Sequence, residues 1–239
     1  MGSNGPAAAG LMTQPQVMVP AKLVKELRER TGAGMMDCKQ ALTEANGDLE
    51  QATILLRKKG IASAQEKAAR VATEGVVGSY IHAGGKMGVV VEVNCETDFV
   101  ARNAEFQQLA HDIAMHICAA NPRFIRREDV TLEILEREKQ ILREQANASA
   151  KPAAVIEKII DGRMDKFYAE ACLYEQPFIR DEKITVKELI DSKIAKFGEK
   201  IAVRRFVRFK VGEDTESFVT TKPAPMPRQD SGAAPARGA

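Results

Sequence analysis

The sequence predicts an α+β fold, and three observations carry that reading. Helical periodicity dominates residues 20–60 and 103–200; Val-rich, Gly-bounded segments interrupt it at 75–95 and 201–211; and strands and helices do not alternate as βαβ units, which argues against a parallel doubly wound sheet. A chain of 239 residues is long enough to bury a core unaided, and 44% hydrophobic with 28% charged residues is a globular composition. Lys and Arg number 35 against 33 Asp and Glu, so a formal net charge of +2 provides no overall field for nucleic acid or an anionic membrane. No run approaches the roughly 20 apolar residues of a membrane-spanning helix. Trp is absent and aromatics are 5%, leaving aliphatic side chains to fill the core and few rings to stack on bases.

Residues 1–19 and 214–239, rich in Gly, Ala, Pro, Ser and Thr, read as flexible tails. Residues 20–60 read as three short helices. Leu23, Val24 and Leu27 share a face of the first, and Thr31-Gly32-Ala33-Gly34 breaks it. Cys38, Ala41, Leu42 and Ala45 form the stripe of the second; Asp48 with Gln51 caps the third, whose stripe is Leu49, Ala52, Leu55 and Leu56 before Gly60. So short a unit buries little surface and suits a docking module. Residues 61–74, Ala-rich and charged, read as a helical linker.

The composition changes at Gly75, where a core region spanning 75–213 begins. Val76, Val77, Tyr80 and Ile81, a turn at Ala83-Gly84-Gly85, and Met87 to Cys95 form a β-hairpin, with Val89, Val91 and Val93 on one side and Glu92 and Asn94 on the other. After a loop at 96–101, a helix starting near Asn103 carries Phe106, Leu109, Ala110, Ile113 and Ile117 inward and stops at Asn121-Pro122. A helical hairpin fills about 131–175: Ile134, Leu135, Ile141 and Leu142 mark its first helix, and Pro152 opens the second, with Val155, Ile156, Ile159, Ile160, Met164, Phe167 and Ala171 inward. Thr185 with Glu188 caps a further helix that Gly198 closes, and Ile201 to Val211 is the last strand.

Catalytic and metal chemistry finds little support. His111 and His116 are five residues apart, roughly 140° around a helix, where a chelating pair needs i, i+4; they read as helix-flank histidines with polar partners. Gly84-Gly85-Lys86 is a hairpin turn, because Tyr80 and Met87 stand where a phosphate-binding loop needs Gly and Ser or Thr. Asp98 has no second carboxylate or nucleophile pair in view, so an enzyme is not expected, nor a cofactor or metal. Cys38, Cys95, Cys118 and Cys172 are scattered without a CxxC pair and read as buried thiols. The strand 203–210 interleaves four cations with Phe206 and Phe209; its parity favours a packed strand with solvated arginines over a surface for single-stranded RNA. Two places have no structural explanation in the sequence. Met35-Met36 opens a helix after a Gly-rich turn, and Phe99 sits in a polar loop, either plugging the core or facing a partner.

At these residues a family resemblance appears. LVKELRERTGAGMMDCKQALTEANGD (Leu23–Asp48), GSYIHAGGKMGVVVEVNCETDFVARN (Gly78–Asn103), DGRMDKF (Asp161–Phe167), EQPFI (Glu175–Ile179) and GEKIAVRRFVRF (Gly198–Phe209) closely resemble translation elongation factor Ts, in a short form with a single core unit. The resemblance implies a ubiquitin-associated-like (UBA-like) three-helix domain at 20–60 and an α+β core with a helical hairpin. It implies a guanine-nucleotide exchange factor that binds GDP-bound elongation factor Tu and promotes GDP release. Thr97, Asp98, Phe99 and Val100 are then the segment pressed into the partner's GTPase domain, where Phe99 disturbs the magnesium and phosphate-loop region. Lys25, Arg28, Met35 and Met36 meet a helix of the partner, and His82 lies towards its phosphate-loop side. A single core unit where long members carry two implies a two-fold homodimer. The expected setting is bacterial cytoplasm, or a plastid or mitochondrial matrix after loss of an import segment, without membrane or direct nucleic-acid binding. A ribosome- or RNA-associated protein using strand 203–210 is the alternative, and a chaperone-like partner that holds its GTPase without exchange is a third.

Overall fold

A computed structural model describes residues 19–147 and 153–213. Apart from Val19, the two expected tails lie outside the described residues, as do Pro152 and the side chain of Val155.

The chain opens with α1 (Ala21–Thr31), α2 (Met35–Glu44) and α3 (Leu49–Lys67). They enclose their own apolar cluster of Val24, Leu27, Cys38, Ala41, Leu42 and Ala52. Gly32 ends α1 in the left-handed region, φ 67°, which a glycine adopts without a side-chain penalty. Asp48 caps α3 by accepting the Glu50 and Gln51 amides at 2.8 and 2.9 Å. Contrary to the sequence reading, α3 does not stop at Gly60 and no separate linker helix follows. Gly60 is buried with a Cβ position 3.6 Å from the Asp191 backbone oxygen, so the missing side chain serves a close helix–helix approach and the helix runs on to Lys67. The first half of α3 therefore packs on the three-helix cluster, while Ala64 in its second half reaches the main core.

Next come β1 (Glu74–Ile81) and β2 (Met87–Cys95), a hairpin with Val76 opposite Val93 and Tyr80 opposite Val89. A single turn, α4 (Asp98–Ala101), occupies what reads in sequence as loop, and leads to α5 (Ala104–Ala120). The helical hairpin is α6 (Leu132–Asn147) and α7 (Ala153–Ala171), closed by Leu142, Ile160 and Met164. β3 (Pro177–Phe178) and β4 (Asp181–Thr185) form a two-stranded ribbon into α8 (Val186–Phe197). Thr185 and Glu188 make the full capping box there. β5 (Ala202–Lys210) completes an antiparallel sheet of order β1-β2-β5. The architecture is α+β.

One face of that sheet is covered by α5. Val89, Val91, Val93, Phe106, Leu109, Ile113, Ile117 and Phe206 are buried together. A Cβ at Gly78 would stand 3.1–3.2 Å from Ala110, so glycine on β1 and alanine on α5 set how closely helix and sheet approach.

A β-bulge breaks the alternation of the last strand. Glu92 pairs with Arg205 and Val93 with Val203, so Arg204 is the extra residue, and Val203 and Phe206 both face the core. Nor are all the arginines solvated. The Arg208 side chain is 11% exposed and its Nε donates to the Cys118 carbonyl at 3.3 Å.

His116 also departs from expectation: it is 1% exposed, on the buried face of α5 rather than its flank. Its Nε2 lies 2.9 Å from Gln176 Oε1, and Nδ1 accepts the Ile179 amide at 3.3 Å. Gln176 in turn donates to the Glu170 carbonyl at 2.6 Å, tying α5, α7 and β3 together. This pattern requires the neutral imidazole with its proton on Nε2, since a second proton on Nδ1 would face the Ile179 N–H. Burial holds the His116 pKa below 6.5, partly offset by Gln176. The folded state then binds fewer protons than the unfolded one, so this group's contribution is complete above pH 6.5 and declines as the pH falls towards the folded pKa. We expect the urea midpoint to fall between pH 7.5 and 5, and the fall to be smaller in His116→Gln; identical pH profiles for the two proteins would contradict this.

Candidate partner-binding site

The segment Thr97–Val100 divides cleanly into anchored and presented residues. Thr97 is the N-cap of α4, its Oγ1 accepting the Val100 amide at 3.4 Å. Val100 packs against the main core and Ala101 is buried. Asp98 and Phe99 point outward: Asp98 pairs with Arg102 at 2.9 Å, one turn on, and Phe99 is 84% exposed. Of the two sequence readings for Phe99, the core plug is thus excluded, and the ring stands on the surface. A phenylalanine so exposed gains little from burial in the isolated chain.

Glu199, which the sequence reading did not single out, holds this segment from the far end of α8. Its Oε2 accepts the Glu96 and Thr97 amides at 3.1 and 3.0 Å, and its Oε1 accepts the Thr97 hydroxyl at 2.6 Å. In return, Glu96 Oε1 accepts the Lys200 amide at 2.5 Å. Lys200 Nζ donates to the Ala68 and Arg70 carbonyls, both at 2.7 Å, so the stretch after α3 joins the same cluster. Beneath it, burial and then the Glu199 charge push the Cys95 thiol up to about 11, leaving it protonated at neutral pH. All four cysteines are buried and free, and burial similarly pushes Cys172 up to about 11.

The other expected contact residues lie elsewhere. Lys25 and Arg28 are exposed on α1, Lys25 standing 3.8 Å from Glu29. Met35 and Met36 are exposed at the start of α2, where Gly34 precedes them and no side chain caps the helix. His82 is exposed at the β1–β2 turn, its Nδ1 3.3 Å from the Tyr80 hydroxyl. It sits at the opposite end of β2 from Thr97, and a nine-residue strand is about 26 Å from first residue to last. These residues therefore form separate surfaces, and His82 cannot share one contact point with Phe99 within a single chain. A cleft of about 710 Å³ lies between the α2–α3 region and α8, lined by Asp37, Arg57, Lys59, Glu188 and Asp191 among others, and none of Thr97–Val100 borders it.

Among the described residues no three His, Cys, Asp or Glu side chains converge as a metal site would need, and no helix is long and apolar enough to cross a membrane. The cations of β5 are mostly paired: Arg204 and Arg205 with Glu92, Arg208 and Lys210 with Glu213.

Residues 22–213 match the family model described as Elongation factor TS. The chain is 62% identical over 204 residues to Elongation factor Ts of Koribacter versatilis, covering 85% of this chain and 93% of that protein. It is 61% identical over 196 residues to Elongation factor Ts of Carboxydothermus hydrogenoformans, covering 82% and 90%, and 59% identical over 199 residues to that of Caldanaerobacter subterraneus, covering 83% and 100%. With a family model spanning most of the sequence and identities near 60% over almost the whole of these relatives, the chain belongs to the elongation factor Ts family.

Proposed function

We propose that this protein is the guanine-nucleotide exchange factor for elongation factor Tu, acting in the bacterial cytoplasm on the GDP-bound form and making or breaking no covalent bond. Family membership supports the role, and one observation carries the mechanism: an 84% exposed phenylalanine stands on a turn whose neighbours on both sides are anchored. Tight GDP binding depends on magnesium bridging phosphate oxygens and on correctly aimed loop dipoles. A rigid aromatic side chain pressed against the loops that hold the metal shifts those groups, and a small shift is costly for a polyanionic ligand such as GDP. Asp98, beside Phe99 and paired to Arg102, adds a carboxylate at the same edge. Lys25, Arg28, Met35 and Met36 form a second contact, with the UBA-like first three helices as the docking module; adaptable Met side chains and mobile cations suit a helix surface. Exchange is reversible, and cellular GTP and GDP levels set its direction.

Two features weigh against RNA as the main target. The four cations of β5 share two carboxylates, Glu92 and Glu213, which halves their charge, and Arg208 is nearly buried. A binding mode without exchange would use the same surfaces but leave the GDP off-rate unchanged.

The outer face of the three-stranded sheet supports a two-fold homodimer. Val77 and Ile81 on β1, Val90 on β2 and Phe209 on β5 are all exposed there, with Val207 partly so, and the register makes them neighbours. Pairing this face with its copy buries one apolar patch against another in aligned sheet-on-sheet packing.

Phe99→Ala is expected to slow factor-stimulated release of fluorescent GDP from elongation factor Tu by at least about 10-fold, while stability stays within about 0.5 kcal/mol because no buried contact is lost. Wild-type release rates in the variant would contradict the mechanism. In sedimentation at micromolar concentration we expect a species of twice the 26.1 kDa chain mass, converted to monomer by Val90→Lys. A wild-type protein sedimenting only as monomer would rule out the dimer.

A further inference from the structure

We infer that Glu199 is a positioning residue for exchange, its carboxylate fixing the direction in which Phe99 leaves the surface. This rests on the exchange reading and adds to it a residue 100 positions away in sequence.

β2 pairs with β1 only as far as Cys95 and with β5 only as far as Asn94, so the amides of Glu96 and Thr97 have left both ladders. They turn instead to one side chain, Glu199 Oε2, which accepts both at 3.1 and 3.0 Å. The other oxygen takes the Thr97 hydroxyl proton at 2.6 Å, leaving the lone pairs of Thr97 Oγ1 free to accept the Val100 amide. The hydrogen bonds thus run unbroken from Glu199 through Thr97 into the turn bearing Phe99. Phe99 itself is too exposed for packing to orient it, and the Asp98–Arg102 pair is internal to the same segment. The frame beneath the turn, with Thr97 hydrogen-bonded to Glu199 and Val100 and Ala101 packed on the core, therefore sets the direction of the ring.

The clamp uses both oxygens of the carboxylate. Three donors converge on it, two N–H and one O–H, and an ionised carboxylate only accepts. A glutamine there can still accept both amides through one oxygen and donate from its NH₂ to the Thr97 hydroxyl, which rotates to accept, so the clamp is emptied only by removing the carboxyl group altogether, as in Glu199→Ala. The clamp is reciprocal, since Glu96 accepts the Lys200 amide and also pairs with Arg70 at 3.4 Å. Residues 96–97 and 199–200 thus hold each other across the junction of β2, α4 and β5. A wedge that must displace tightly held groups works only if it does not itself give way, so stiffness at this junction is converted into work on the partner.

The test uses full-length Glu199→Ala in stopped-flow release of fluorescent GDP from elongation factor Tu, over a range of factor concentrations, together with amide hydrogen exchange of the free factor. We expect the limiting release rate to fall about 10-fold with the half-saturating concentration changed less than about threefold, since contact residues remain and only their aim is lost. Amides of Glu96, Thr97 and Val100 should exchange faster while those of α5 keep their protection. Thr97→Val, which removes both the bond to Glu199 and the acceptor for the Val100 amide, should lower the limiting rate about 3- to 5-fold and serves if Glu199→Ala does not fold. A wild-type limiting rate in the variants, with loosened 96–100 amides, overturns the positioning role. A rise in half-saturating concentration with loss of protection throughout α5 also overturns it, showing a general structural role. If the wild-type chain itself leaves GDP release unchanged, the exchange reading fails, a result distinct from either of these.

Discussion

The seating of one helix on one face of a three-stranded sheet is the constraint from which the rest of this structure follows. Gly78 and Ala110 bring α5 close to β1, and the aliphatic cluster of Val89, Val91, Val93, Ile113 and Ile117 fills the interface. With few aromatics available, close approach replaces ring volume as the means of excluding water. Among the described residues α5 covers one face, and the other carries the exposed Val77, Ile81 and Val90. Because β2 is the central strand and must reverse into α5, its end needs a tight capped turn. That turn is where Thr97, Asp98, Phe99 and Val100 lie.

The same economy governs the surface. Near-neutral net charge and paired cations on β5 leave little for a polyanion, whereas individually exposed Phe99, Met35 and Met36 suit contacts with another protein. Between the turn and the three-helix unit runs a polar cluster, Glu96, Glu199, Lys200 and Arg70, which also takes up the carbonyls of Ala68 and Arg70 just after α3. The two presented surfaces thus belong to one connected framework.

Much of this was legible in the sequence, because local rules decide it. Apolar periods located α1, α2, α5 and α8, the Val alternation gave the inner face of β2, and the caps at Asp48 and Thr185 set helix starts. What escaped was decided by distant partners. Gly60 resembles a helix stop until α8 is seen to lie against it, the bulge at Arg204 reverses parity with no local signal, and His116 is drawn into the core by Gln176, 60 residues on. At the candidate site, Phe99 stood out as an apolar residue in a polar loop. Glu199 did not, because a glutamate following a helix-ending glycine looks like ordinary solvated surface, and its three donors lie 102 or 103 residues away.

In the proposed exchange mechanism this chain and GDP oppose one another on elongation factor Tu. Calorimetric titration of the chain into the nucleotide-free partner and into the partner saturated with GDP and magnesium tests it most directly. Linkage predicts that GDP weakens binding of the chain by the same factor by which the chain weakens binding of GDP. Equal affinity of the chain for the empty and the GDP-loaded partner would contradict the account.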